Sequence, residues 1–156
     1  MPNPTRIGRA KTKSIHMNDL KINHLAILVS VILSFALGSL WFGPFFGERW
    51  MNLVGIDMAT MKPPGASVWV INFIASVVPL YVLAWLFTKL NVTSGLLGAG
   101  IGLMISFSFH FLMALNNDMF AGAPYELACI TGGYSLASTT ISGFILGAWT
   151  KTTKSV

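Results

Sequence analysis

Uncharged, mostly apolar residues fill four long stretches of the chain, and polar residues gather in the segments between them. The stretches cover residues 24–43, 67–88, 95–115 and 127–149, and none of them contains a Lys, Arg, Asp or Glu. A helix needs about 20 mostly apolar residues to cross a bilayer, and a charge at its centre costs about 3 kcal/mol. The pattern therefore predicts an all-α, polytopic membrane protein built as a four-helix transmembrane bundle.

Aromatic residues, glycine and proline mark the end of the first span. Pro44 cannot continue the backbone pairing of a helix, and Gly43 allows the chain to turn. Residues 45–54 then mix rings with polar residues and predict a short helix lying at the membrane interface. Indole rings favour that boundary between lipid and water. The predicted interfacial anchor consists of Trp41, Phe42, Gly43, Pro44 and Trp50.

The second and third spans are expected to form an antiparallel hairpin, because the connection over residues 89–94 is short. Pro79 lies in the middle of the second span and should kink it. The backbone groups that this proline frees must then be satisfied by neighbouring helices.

Small residues recur at every fourth position in three of the four spans. In lipid, such stripes let helix backbones approach closely, which favours tight packing within one chain and leaves an oligomer interface as the alternative. The stripes are Ala26, Ser30, Ser34 and Gly38 in span one, Ser94, Gly98, Gly102 and Ser106 in span three, and Ser135, Thr139, Gly143 and Gly147 in span four.

Composition supports this picture and leaves no room for a separate soluble domain. The 156 residues are 54% hydrophobic and 10% charged, whereas soluble domains carry about 25% charged residues. We divide the chain into a disordered basic cytoplasmic tail (1–22), a four-helix transmembrane domain (23–150) and a second cytoplasmic tail (151–156). Cys129 is the only cysteine, which excludes an internal disulfide.

The basic residues predict the orientation of the bundle. Eight of the ten Lys and Arg residues fall on one side, and Arg49 and Lys62 fall on the other. The positive-inside rule then places both termini in the cytoplasm, in a multi-pass protein of the cell inner membrane. The net charge of +5 is thus explained by topology rather than by binding to nucleic acid. The eight residues are Arg6, Arg9, Lys11, Lys13, Lys21, Lys89, Lys151 and Lys154.

Polar side chains on the outer side of the predicted bundle form the candidate site. His110 extends the small-residue stripe of span three by one more step of four, so we expect it to face the interior and to hydrogen-bond a neighbouring helix. One histidine without a nearby carboxylate or cysteine predicts neither a metal site nor a catalytic pair, and we expect no cofactor. The candidate outer polar cluster comprises Asn72, His110, Asn116, Asn117, Asp118 and Glu126.

Several segments of the chain resemble a known family. Residues 38–51 read Gly-Ser-Leu-Trp-Phe-Gly-Pro-Phe-Phe-Gly-Glu-Arg-Trp-Met, and the similarity continues through residues 75–83, 120–124, 133–134 and 147–149. These segments are similar to the small bacterial and fungal membrane proteins classified as domain of unknown function 1761. The resemblance implies four spans over residues 24–149, and the family implies no particular activity or catalytic residue.

Two functional hypotheses follow. The first is a non-enzymatic membrane protein with a structural, accessory or interaction role. The second is an oligomeric channel or small-solute transporter, which the kinked second span and the outer polar residues would serve. Membrane lipid is the expected partner in both cases, a homo-oligomer stays open, and nucleic acid is not expected. No motif of a membrane enzyme is present in the sequence.

Overall fold

The structure is a computed structural model that describes residues 20–57 and 59–152. These residues form five helices and one pair of two-residue strands. Two of the helices each contain one turn of π-helix, at Trp41–Phe45 and Phe107–Phe111. The elements are β1 (Leu20–Lys21), α1 (His24–Phe45), α2 (Gly47–Val54), α3 (Ala66–Leu90), α4 (Gly95–Phe120), α5 (Tyr125–Ala148) and β2 (Lys151–Thr152).

Helices α1, α3 and α4 are long and apolar enough to cross a membrane. Helix α5, the predicted fourth span, has 24 residues and is therefore long enough to cross a membrane. It is less apolar than the other three helices and is not among the candidate spans. Hydroxyl side chains account for its lower apolarity, because seven of them lie in the central part of the helix. They are Thr131, Tyr134, Ser135, Ser138, Thr139, Thr140 and Ser142.

Helix α5 is the hub of the bundle, since it contacts each of the other four helices. Its closest neighbour is α4, and the two backbones touch along their small-residue stripes. A Cβ atom on Gly102 would lie 2.5 Å from the Thr139 carbonyl oxygen, and one on Gly147 would lie 2.5 Å from that of Ser94. Gly98 and Gly143 pack on each other in the same way. For α4 and α5, the interpretation of the stripes as packing within one chain is confirmed.

The stripe of α1 also faces the interior. Ala26, Ser30 and Ser34 are buried, and a Cβ atom on Gly38 would lie 3.3 Å from the Tyr134 hydroxyl. An apolar core surrounds the first half of this stripe and joins α1 to the second half of α3 and the last turn of α5. It contains Ala26, Ile27, Val31, Leu80, Leu83, Ala84, Phe87, Val92 and Leu146.

The two ends of the described chain meet at one end of the bundle. Strands β1 and β2 pair antiparallel, with Lys21 opposite Lys151. The Asn23 side chain caps α1 by accepting from the N–H groups of Leu25 and Ala26, and its Nδ2 donates to the Trp149 carbonyl oxygen at 2.8 Å. The predicted tail of residues 1–22 thus ends in an ordered strand, while its residues 1–19 lie outside the described part, as do residues 153–156.

Helix α3 packs through its second half only. Residues 66–75 are all exposed, whereas Leu80, Leu83, Ala84 and Phe87 are buried. The helix continues through Pro79 as a single element of 25 residues. The exposed half therefore stands along the side of the bundle and leaves a cleft between itself and the other helices.

Candidate functional site

A cleft of about 520 Å³ lies between α3 and α5, with α1 and α4 at its edges. Its size falls in the range of small-molecule sites, about 300–1,000 Å³. The lining residues are Ser34, Asn72, Ala75, Ser76, Val78, Pro79, Leu80, Val82, Leu83, Leu86, Ile105, His110, Tyr134, Ser135, Ser138, Thr139 and Ser142. None of these described residues is an Asp, Glu, Lys or Arg.

Five hydroxyl residues of α5 form one wall of the cleft: Tyr134, Ser135, Ser138, Thr139 and Ser142. They occupy positions i, i+1, i+4, i+5 and i+8, which is the spacing of a single helix face. This hydroxyl face lies inside the bundle, and Ser142 is only 1% exposed. The residues that make α5 less apolar than its neighbours therefore line a cavity.

Several hydroxyl groups of the site already donate hydrogen bonds to other groups of the protein. The Tyr134 hydroxyl donates to the Ser34 carbonyl oxygen at 3.0 Å, and Ser138 Oγ donates to Ser34 Oγ at 2.9 Å. Ser135 Oγ donates to the Thr131 carbonyl oxygen at 3.3 Å. A hydroxyl that has donated its proton still has lone pairs to offer. These three side chains therefore present acceptors to the cleft.

The opposite wall, from α3, is mainly apolar and adds another acceptor. Pro79 has no N–H, so the carbonyl oxygen of Ala75 lacks its usual helical donor, and both residues line the cleft. Ser76 Oγ donates to the Asn72 carbonyl oxygen at 2.8 Å, so it too offers lone pairs. The apolar part of this wall consists of Val78, Leu80, Val82, Leu83 and Leu86.

Two members of the candidate outer polar cluster lie in this cleft. Asn72 and His110 both line it and are exposed, and neither side chain hydrogen-bonds another of the described residues. The structure thus brings together a side chain from α3 and one from α4 that the sequence grouped by topology alone.

The other members of that cluster lie elsewhere. Asn116 and Asn117 are exposed on the last turns of α4, and Asp118 is half-buried there with its carbonyl oxygen accepting from the Ala123 N–H at 2.8 Å. Glu126 forms an ion pair with Arg49, whose Nε donates to Glu126 Oε2 at 2.9 Å. This pair links α2 to the first turn of α5 and lies outside the cleft.

The position of His110 differs from the expectation of an inward, hydrogen-bonded side chain, and the π turn of α4 explains the difference. Ser106 ends the buried stripe at 0% exposure, and the wider turn that follows it shifts the helix face by about one residue. Phe111 takes the inward place, since a Cβ atom on Gly132 of α5 would lie 2.7 Å from its ring. His110 is rotated onto the wall of the cleft.

The predicted anchor packs against α5 beside the cleft. Trp41 Nε1 donates to the Ile130 carbonyl oxygen at 2.9 Å, and the Phe42 ring lies 5.2 Å from the ring of Tyr134. Trp50 of α2 contacts Phe42 edge-on, with 5.5 Å between ring centroids. The anchor therefore holds the end of α1 and the start of α2 onto the hub helix.

Gly43 and Pro44 of the anchor are exposed within the π turn of α1, and Gly43 has non-helical backbone angles (φ −102°, ψ −106°). The turn that the sequence predicts at this glycine is thus observed. The short helix expected over residues 45–54 is observed as α2, from Gly47 to Val54.

Sequence reasoning missed the hydroxyl wall of the cleft. Ser135 and Thr139 were assigned only to a small-residue stripe, because both are compact enough to allow close packing. The signal that could have found the wall was the additional presence of Tyr134, Ser138 and Ser142 on the same helical face.

Comparison with known proteins gives one match. The family model described as "Protein of unknown function (DUF1761)" matches residues 25–147, which cover all five helices except the first residue of α1 and the last residue of α5. Neither the curated proteins nor the solved structures contain a match. The resemblance found at the end of span one thus extends over most of the chain, and the protein belongs to the DUF1761 family.

Proposed function

We propose that this protein is a small, non-enzymatic integral membrane protein that holds a small molecule in the cleft between α3 and α5, in an accessory or interaction role. The observation that carries the proposal is the hydroxyl face of α5, which opens into a cavity bordered by three helices apolar enough to span a bilayer. Hydroxyl groups in such surroundings need partners, because each polar group left unpaired in an apolar medium costs a few kcal/mol.

In this proposal α5 is the fourth span, and both termini are on the cytoplasmic side of the cell inner membrane. The shielding of α5 by its neighbours supports the first point, since its polar side chains then avoid lipid. The meeting of β1 with β2 supports the second, because an even number of crossings returns the chain to its starting side. Lys21, Lys89 and Lys151 lie at or next to that end.

The chemistry of the cleft supports the non-enzymatic part of the proposal. His110 is the one imidazole among the described lining residues, and no carboxylate accompanies it there to form an acid–base pair. The hydroxyl groups of Tyr134, Ser135 and Ser138 are engaged in hydrogen bonds within the protein. Such a lining suits reversible binding.

Retention of a bound molecule by the purified protein tests the proposal. Native mass spectrometry of the wild-type protein released from mild detergent should show an additional small-molecule mass. Ser138→Phe should abolish it by filling the cleft, whereas Ser39→Phe, at an exposed position of α1, should not. Equal loads on a correctly folded wild-type protein and a correctly folded Ser138→Phe variant would contradict the proposal.

A channel or small-solute transporter, formed by one chain or by a homo-oligomer, is the second candidate. It is favoured by the presence of Asn72 and His110 in the same cleft, since polar groups inside a membrane often line solute pathways. Vesicles that contain the purified protein would then release trapped glycerol or small ions faster than protein-free vesicles. Our first proposal expects equal rates.

A further inference from the structure

We propose that the ligand of the cleft is an uncharged lipid alcohol, that is, an amphiphile with a free hydroxyl head group and an apolar tail. This inference rests on the proposed function and names the chemical class of molecule that the cleft selects. Three properties of its lining carry the argument: the excess of acceptors, the absence of charge among the described lining residues, and the contrast between its two walls.

The acceptor excess calls for a ligand that donates a hydrogen bond. Tyr134, Ser135 and Ser138 have already donated their protons within the protein, and the Ala75 carbonyl oxygen lacks a helical donor. The hydroxyls of Thr139 and Ser142, the Asn72 amide and the His110 ring make no side-chain hydrogen bond within the described residues, so they can donate as well as accept. An alcohol matches both kinds of group because its O–H donates and its oxygen accepts. A ketone or an ester can only accept, so it would leave the acceptors of Tyr134, Ser135 and Ser138 unpaired.

The absence of charged residues from the described lining disfavours most phospholipid head groups. A phosphate transferred into this cleft would meet no Lys or Arg among the described lining residues, and an ammonium group would meet no Asp or Glu. Burying a charge without a partner is far more costly than burying a hydroxyl. A neutral head group therefore binds preferentially.

The two walls differ in polarity, and this difference indicates where the apolar tail of the ligand would lie. Val78, Val82 and Leu86 follow one another at steps of four along α3, so they form an apolar strip opposite the hydroxyl face. The head group would lie on α5 and the tail along this strip. Because residues 66–75 of α3 are exposed, the ligand can enter sideways from the bilayer.

Binding of defined lipids in nanodiscs tests the inference. A photoactivatable diacylglycerol should crosslink to the cleft, and unlabelled dioleoylglycerol should compete. Its acetyl ester and dioleoyl phosphatidate should compete at least tenfold more weakly, because one lacks the donor and the other carries charge. A long-chain isoprenoid alcohol, added as a second competitor, distinguishes a glyceride from a polyprenyl source of the same alcohol chemistry.

A matched pair of variants locates the hydrogen bonds. Thr139→Val removes a hydroxyl from the cleft and should weaken diacylglycerol binding by about fivefold, the usual effect of one neutral hydrogen bond. Thr140→Val makes the same change one residue later, where the hydroxyl is buried without a partner and lies outside the lining, and it should leave binding unchanged. Thermal unfolding of both variants confirms that they fold.

The results separate the two proposals. Equal competition by dioleoylglycerol and its acetyl ester, or equal affinities of the two threonine variants, would overturn the lipid alcohol. Selective retention of another small molecule by the cleft, abolished in Ser138→Phe, would also overturn it while leaving the proposed function in place. Failure of every probe and every endogenous molecule to bind would overturn both.

Discussion

At the scale of single residues, glycines set the distance between α4 and α5. Gly98→Leu or Gly102→Leu should destabilise the protein by about 3 kcal/mol, because the new side chain would collide with the backbone of α5, which cannot move aside as a flexible side chain can. Chemical unfolding in detergent measures the change.

Gly100→Leu is the control, since a Cβ atom there would meet nothing within 4 Å. Gly95→Leu should fall between the two, because its new Cβ atom would meet the side chain of Phe144 rather than backbone. Four variants of equal stability would contradict the backbone contact.

The indole of Trp41 provides a second test at this scale. Trp41→Phe keeps a ring but removes the N–H that donates to the Ile130 carbonyl oxygen, so it should cost about 1 kcal/mol. Trp50→Phe is the control, because its indole N–H makes no hydrogen bond within the described residues. Urea titration in detergent should show the larger loss for Trp41→Phe, and the reverse order would show that the hydrogen bond contributes little.

Residue-level prediction from sequence succeeded for packing and failed for His110. The step of four placed Gly98, Gly102 and Ser106 correctly on the buried face of α4. It failed after Ser106 because it assumes 3.6 residues per turn throughout, and one π turn breaks that assumption. Composition alone does not reveal such a turn, so the inward place of Phe111 could not have been foreseen.

At the scale of elements, the π turn of α4 can be detected by cysteine labelling. In a Cys129→Ala background, His110→Cys should react readily with a small thiol reagent, because position 110 is exposed in the cleft. Ser106→Cys should be protected, because position 106 is 0% exposed. In a regular α-helix the two positions would share a face and be protected alike. Similar protection of both cysteines would therefore argue against the π turn.

Prediction from sequence located every helix, but for α5 it considered only the absence of charged residues and not the content of hydroxyl residues. The absence of charge predicted that the segment is a span, whereas its hydroxyl residues make it less apolar than the other three. Those residues are tolerated because α5 contacts all the other helices, and which helix becomes the hub is a property of the tertiary arrangement. The cleft was missed because its two main walls lie at least 48 residues apart in the chain, and only the tertiary arrangement brings them together.

At the scale of the whole molecule, the proposed topology predicts which connections lie on which side. Reporter fusions after Lys89 and Val156 should be active in the cytoplasm, and fusions near Lys62 and Ala121 should be active outside. The physical reason is the eight-to-two division of basic residues, which favours retention of the richer side in the cytoplasm. Paired cytoplasmic and external reporters at each position provide the control. A cytoplasmic signal from the fusion near Lys62 would contradict the proposed topology.

The hydroxyl face of α5 also has a consequence for how the protein is made. A chain leaves the ribosome from its N-terminus, so α5 emerges last, after α1, α3 and α4. Each of those three is long and apolar enough to cross a bilayer, whereas α5, as the proposed fourth span, would expose its hydroxyl groups to lipid if it crossed alone. Because its partners are already present when it emerges, α5, the least apolar of the four long helices, never needs to be stable in lipid by itself. In the proposed four-span topology, the helix that contacts all the others is thus inserted after the three helices that shield its hydroxyl groups.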